Sequence, residues 1–397
     1  MALTSIGSQK TPGRPVEITF AGETGLPSDE QEVLLIAHAE SGATGTNTVV
    51  NINNVADLKA ASGEVAAKFG DGSEAAKMVL AAVKANEGNG TFPRLKVGVL
   101  DSAETVIPVP LQNAIKAVKA EFVVSCYDLD SDSASRTVLK DMANAMSGPQ
   151  RVQNNQFGTF GVGASMSQVD PSALFKMDTQ FLIGVWKRDT GSGDQLSTYS
   201  VGEVAAAAAA RMASNGVPYN PLDDVSIPGI PAPKKVEDWP SVGAGLESEA
   251  CLQQGWTPLF VKPNEEVAFV RTVTGRLSAD GTGTPVVTAY YDVQDFQVLY
   301  FWRKTLFTRF SQPDFKRTKA SEDVGLNIKA EAIRLAVQFE TQNMFQAVQQ
   351  LAKKFLLKRN VSDRHRFDLK TPVNVIPGLH VIATNVEATT EFDVISI

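Results

Sequence analysis

The sequence predicts an α/β chain, α+β when taken over its whole length, and three observations lead there. A β-α-β pattern occupies residues 32–100, with EVLLIAH and RLKVGVL as its strands. Strand-like and helix-like runs then alternate regularly over residues 111–214, a period that argues for layers of helix on sheet. Residues 353–397 hold three β-type runs, and the last continues into Phe392, Val394, Ile395 and Ile397 with no helix to cover it.

Residues 1–15 are polar, with Pro12-Gly13 and Pro15, and are expected to be extended. Val16, Ile18 and Phe20 alternate on one face of a short strand. After the strand at 32–38 comes a β-prone run at 47–52. Asn54 is placed to cap a helix over 55–62, and Ser73 one that runs to about Ala85. In 111–214 the expected strands are 122–127, 157–164 and 181–186. The expected helices are 114–119 behind an Asn113 cap, 133–146, 172–177 and 201–213. The last contains six consecutive alanines, Ala205 to Ala210, so it is expected to pack closely against another element.

Residues 231–248 are rich in Pro and Gly and read as a linker. Strands are expected at 256–261, 267–277 and 285–291, the last two joined by a Gly-rich turn at 279–284. Asp292 or Asp295 is placed to cap a helix through about Phe310. A basic loop follows. A further helix is expected from about Asn327, with Ile328, Ala332, Leu335, Ala336 and Phe339 on one face and a break near Gln342. The chain then reads as strands at 355–361, 367–373 and 379–386.

At 397 residues, with 43% hydrophobic and 20% charged, the chain has the composition of a globular protein with two or three cores. Two cysteines, Cys126 and Cys251, make no disulfide framework and suit a reducing compartment. The N-terminus lacks the basic and apolar regions of a secretory signal. The net charge of −7 argues against general nucleic-acid binding. That charge is uneven. Residues 301–370 carry 15 Lys+Arg against 7 Asp+Glu, a net of +8, and the rest carries 22 against 37, a net of −15. The basic segment is suited to an acidic partner.

Catalytic signatures are missing. There is no GxxxxGK[ST] and no GxSxG, and the glycines at 70–72 and 158–163 have the wrong spacing for a dinucleotide loop. His38, His365 and His380 lie far apart without ligand-spaced companions. Asp128, Asp130 and Asp132 lack the Gly and the Glu of a calcium loop and read as a solvated acidic turn. No catalytic residue, cofactor or metal site is expected.

Arg359-Asn360-Val361-Ser362-Asp363, then Arg366-Phe367-Asp368, Pro372 and the run to Val386 resemble the C-terminal pattern of contractile tail sheath proteins of Mu-like bacteriophages. Phe69-Gly70-Asp71-Gly72-Ser73, the alanine helix with its Ile227-Pro228-Gly229-Ile230 turn, and Tyr291-Asp292-Val293 are similar to further stretches of that family. The resemblance implies a mixed-sheet inner domain built from both chain ends, an inserted α/β outer domain and extended terminal β arms. The corresponding divisions are an arm and first strand at 1–20, an α/β segment at 21–110 and an outer domain with linker at 111–250. An inner, tube-facing domain at 251–386 and an arm at 387–397 complete them.

The resemblance further implies a structural role. Subunits would polymerise as stacked hexameric rings around a tail tube and contract to drive it through the cell envelope. The partners implied are the chain itself, the tube protein, and baseplate and tail terminator proteins, with no nucleic acid and no direct membrane insertion. The place implied is the virion tail, with assembly in the host cytoplasm. Val16, Ile18 and Phe20 at one end and Phe392, Val394, Ile395 and Ile397 at the other are the expected inter-subunit arms. Lys316, Arg317, Lys319, Lys329 and Arg334 are the expected tube-facing residues. The alternatives are a non-contractile tail or secretion-system component and a nucleotide-binding α/β enzyme.

Overall fold

The computed structural model describes residues 31–43, 45–52, 68–87, 93–166, 170–187, 199–215, 220–230, 246–277, 292–316, 318–363 and 365–379. Both expected arms, the strands at 16–20 and 285–291, most of that at 379–386, and the helix at 55–62 lie outside the described residues.

Strands β1 (Glu32–His38), β2 (Val49–Ile52) and β3 (Arg94–Leu100), with helix α1 (Glu74–Lys84), form the expected β-α-β unit. Ser73 accepts a hydrogen bond from the Ala76 amide and caps α1 as expected. Helix α2 (Val109–Ala117), strand β4 (Phe122–Ser125), helix α3 (Ser133–Met146), strand β5 (Phe160–Ser165), strand β6 (Leu182–Trp186) and helix α4 (Val201–Ala213) continue the alternation. Two expectations there are corrected. Helix α2 starts well before Asn113, behind Pro108, because Pro110 fits the first turn, where its missing N–H costs nothing. The stretch 172–177 forms only a short 3-10 turn at Pro171–Ala173, started by Asp170.

Helix α5 (Leu246–Gln253) begins inside the stretch read as linker, which composition had obscured. Strands β7 (Trp256–Val261) and β8 (Val267–Phe269) follow, so the strand expected to reach Leu277 stops at Phe269. Beyond it, Val273 and Gly275 make isolated bridges with Asp292 and Thr179.

The eight strands form one mixed sheet in the order β2-β3-β1-β4-β5-β6-β7-β8. The six inner strands are parallel to their neighbours, and β2 and β8 add antiparallel edges. Strands β7 and β8, which follow residue 250, extend the sheet begun by β1 to β6. Val33 to Ala37 are fully buried, as expected when helices cover both faces of a parallel sheet. Ala205 to Ala210 are all fully buried, and α4 packs against α1. Gly202 makes the approach possible: a Cβ there would lie 2.8 Å from Met78 Sδ and 3.1 Å from Cys126 Cα. Ser200 and Glu203 close a capping box at the start of α4.

Helix α6 (Val293–Phe310) joins this core to a second one. Its first turns place Val293 and Phe296 in the sheet core, and Tyr300 packs on Phe160 with centroids 5.3 Å apart. Its later turns place Val298, Phe301 and Trp302 against helix α8 and its neighbours. A short helix α7 (Pro313–Lys316) leads to α8 (Glu322–Thr341), helix α9 (Val348–Ala352) and the strands β9 (Leu356–Arg359) and β10 (Phe367–Lys370). Trp302 meets Phe339 edge-on at 5.1 Å, and Phe339 stacks on Phe345 at 4.9 Å.

Helix α8 starts five residues before Asn327, because Ser321 caps it by accepting from the Val324 amide. Its break at Gln342 and its buried Ala332, Leu335, Ala336 and Phe339 agree with the periodicity. Asp292 stands at the N-cap of α6 without capping it. Its carboxylate instead takes a two-pronged bond from Arg271, at 2.7 and 2.9 Å.

Candidate functional site

Strands β9 and β10 pair antiparallel, Leu356 opposite Lys370 and Arg359 opposite Phe367. Asn360 shapes their turn by accepting from the amides of Ser362 and Asp363. Among the described residues this sheet has two strands. A two-stranded hairpin is marginal alone and gains from further strands or from packing on a helix. Here one side rests on α8, where a Cβ on Gly325 would lie 2.9 Å from Leu357 and 3.3 Å from Phe367. Large apolar side chains remain exposed on the same elements: Leu326 at 67%, Leu356 at 45% and Val361 at 99%. Lys354 and Lys358, which flank Leu356 in sequence, are exposed, as is Lys319 before α8.

The expected tube-facing residues lie along α7, the loop after it and α8. Lys316 ends α7 and Arg317 lies outside the described residues. Lys319 is exposed, Lys329 is half-buried and Arg334 is exposed. Arg334 already has a partner, because its guanidinium donates to Glu331 at 2.7 and 2.9 Å. Arg309 donates to the same Glu331 at 2.5 Å and to Asp314 at 3.1 Å. The bonds from Arg334 and Arg309 hold the Glu331 carboxyl below its ordinary pKa. Part of the positive excess of 301–370 is therefore used inside the chain. Arg303 shows the same use, donating to the carbonyls of Ser147 and Gly148 at the end of α3 and to that of Phe157 before β5.

A second cluster lies at the carboxyl ends of the sheet strands, and sequence spacing did not reveal it. His38 closes β1, Glu74 opens α1 and Cys126 follows β4. His38 Nδ1 is 2.6 Å from Glu74 Oε2 and 3.7 Å from Cys126 Sγ. His38 Nε2 faces the Glu104 carbonyl at 2.7 Å, and the Tyr127 hydroxyl donates to that carbonyl at 3.1 Å. The Glu74 hydrogen bond raises the His38 pKa against the opposing effect of burial. Burial pushes the Cys126 thiol well up. This is not the line of a nucleophile, a base and an orienting carboxylate, which uses opposite ring nitrogens. Thiol and carboxylate share one nitrogen here, and a buried high-pKa thiol is a poor nucleophile. The acidic residues after β4 do structural work: Asp132 caps α3, and Asp128 accepts from the amides of Asp130 and Ser131. No described helix is long and apolar enough to cross a membrane.

No family model and no curated protein matches the sequence. Solved structures do match the fold. The sheath tail protein of Listeria innocua is 12% identical with a TM-score of 0.60, over 88% of this chain and 92% of its own. The sheath tail protein of Desulfitobacterium hafniense is 10% identical with a TM-score of 0.54, over 91% of this chain and 100% of its own. The helical sheath of the anti-feeding prophage in its contracted state is 11% identical with a TM-score of 0.58, over 96% of this chain and 99% of its own. The mixed α/β fold is thus one found in tail sheath proteins of phage-like particles.

Proposed function

We propose that this chain is the structural subunit of a contractile tail sheath of the Mu-like phage type. Its copies polymerise as stacked hexameric rings around a tail tube and contract to drive the tube through the cell envelope. The observation that carries this reading is the fold match, which runs over 88–96% of this chain and nearly all of each sheath protein compared. The order and spacing of Arg359 to Val386 support the Mu-like assignment.

In this reading the β9–β10 hairpin is an acceptor for strands from neighbouring subunits. Residues 387–397, with Phe392, Val394, Ile395 and Ile397, supply one such arm, and Val16, Ile18 and Phe20 the other. An added strand making about five backbone hydrogen bonds at roughly 1 kcal/mol each contributes several kcal/mol per contact, less the cost of ordering it. Such links hold a lattice together while the subunit bodies turn. Lys316, Arg317, Lys319, Lys329 and Arg334 face an acidic tube surface, where weak, salt-sensitive contacts suit a surface that must be released. The role is structural rather than catalytic. The place is the virion tail, built in the host cytoplasm, and the tube, baseplate and terminator proteins are the partners.

Negative-stain electron microscopy of the purified chain tests this. Short, wide, hollow cylinders are expected, and solid fibres or persistent monomers at high concentration would overturn it.

A further inference from the structure

We propose that His38, Glu74 and Cys126 form a binding site for a zinc-class divalent cation. Three different ligand types from three elements converge there: an imidazole from the end of β1, a carboxylate from the first turn of α1 and a thiol just after β4. Their ligand atoms all lie within 4.8 Å of one another. A tetrahedral ion with bonds of about 2.0–2.3 Å needs its ligands roughly 3.3–3.7 Å apart. The Cys126–His38 separation of 3.7 Å already meets that, and the His38–Glu74 separation of 2.6 Å reaches it by a small opening.

The surroundings also fit. Metal-bound histidines commonly donate their other ring N–H to a carbonyl or carboxylate, which fixes the tautomer. His38 Nε2 is placed to do so toward the Glu104 carbonyl, which leaves Nδ1 for the ion. A dication held by one thiolate and one carboxylate makes a neutral site, so its partial burial is not penalised by net charge. The thiol proton, and any proton on Nδ1, leaves to solvent as the ion enters. Three protein ligands leave a fourth position for water. His38 and Glu74 side chains are 22% and 24% exposed, which gives the ion its way in. The site also lies where the sheet order reverses, β1 having β3 on one side and β4 on the other, and α/β sheets bind ligands at such points.

The test uses the full chain carrying Cys251→Ala, so that Cys126 is its only thiol. Cobalt(II) is added to metal-free protein, and the thiolate-to-cobalt charge-transfer absorption is followed. One equivalent should bind, zinc should displace it, and zinc should slow alkylation of Cys126 at least tenfold. His38→Ala and Glu74→Gln should each weaken binding at least tenfold, and Cys126→Ser should abolish the band. Glu74→Gln keeps size and shape, so it reports even where a core change fails to fold. The proposal is overturned if no thiolate–cobalt band appears, or if the band survives His38→Ala and Glu74→Gln unchanged. Neither result bears on the assembly reading.

Discussion

Arg303 Nη1 donates to the carbonyl of Ser147 at 2.9 Å, and this contact ties the second core to the sheet core. Ser147 is the C-cap of α3, so the cation meets the negative end of a helix. The same guanidinium reaches Phe157 at 2.8 Å and Gly148 at 3.1 Å. Replacing it by an uncharged side chain removes all three bonds. Arg303→Gln is expected to lower stability by about 2 kcal/mol, the scale of hydrogen bonds to a charged group. Arg303→Lys keeps the charge but not the fork, so it should recover only part of the loss. Urea denaturation of the two variants checks this, and equal stability of all three proteins would show that the contact is idle.

Glu331 makes a pH prediction. Its carboxyl is held below its ordinary pKa first by hydrogen bonding from Arg334, with Arg309 adding to the effect. A depressed folded-state value contributes stability that is present above the unfolded value of about 4.3 and lost as pH falls through the folded one. Wild-type protein should therefore lose more stability between about pH 5 and pH 3 than Glu331→Gln does. Thermal melts across that range read the difference, and parallel curves would count against it.

The cation surface separates two kinds of residue. Arg334 is paired with Glu331, whereas Lys319 is an exposed loop residue. Reversing Lys316, Arg317 and Lys319 together to Glu is expected to reduce co-assembly with tube protein while sheath cylinders still form. Arg334 shares its charge with the mostly buried Glu331, so Arg334→Ala should reduce co-assembly less than the triple reversal and also lower stability by about 1 kcal/mol. Co-sedimentation with tube at low and high salt checks both. Unchanged co-assembly of the triple variant at low salt would remove these three residues from the tube face.

Much of the fold was legible because local signals agreed with tertiary packing. The apolar centre of β1, Val33 to Ala37, is buried as its run suggests, Ser73 marks a real helix start, and the alanines of α4 lie against α1. The failures have local physical causes. Asp292 carries the right chemistry for a cap, but Arg271 offers it a charged, two-pronged partner that a single amide cannot match. Ser321 is hidden as a cap because the apolar stripe of α8 begins only after its first polar turn. The cluster of His38, Glu74 and Cys126 was invisible because its members are 36 and 88 residues apart, and only the strand order joins them. The basic excess of 301–370 was visible as a sum. Its division between internal bonds and free surface depends on distances such as those around Glu331.

Strand exchange is the core of the assembly account, and one comparison tests it most directly. Full-length chain and a chain ending at residue 386 are examined side by side by sedimentation velocity and negative-stain microscopy. The account predicts that the shortened chain remains a folded monomer with a nearly unchanged melting temperature, while the full-length chain forms hollow cylinders. Cylinders formed equally well by the shortened chain, or its unfolding, would contradict the account.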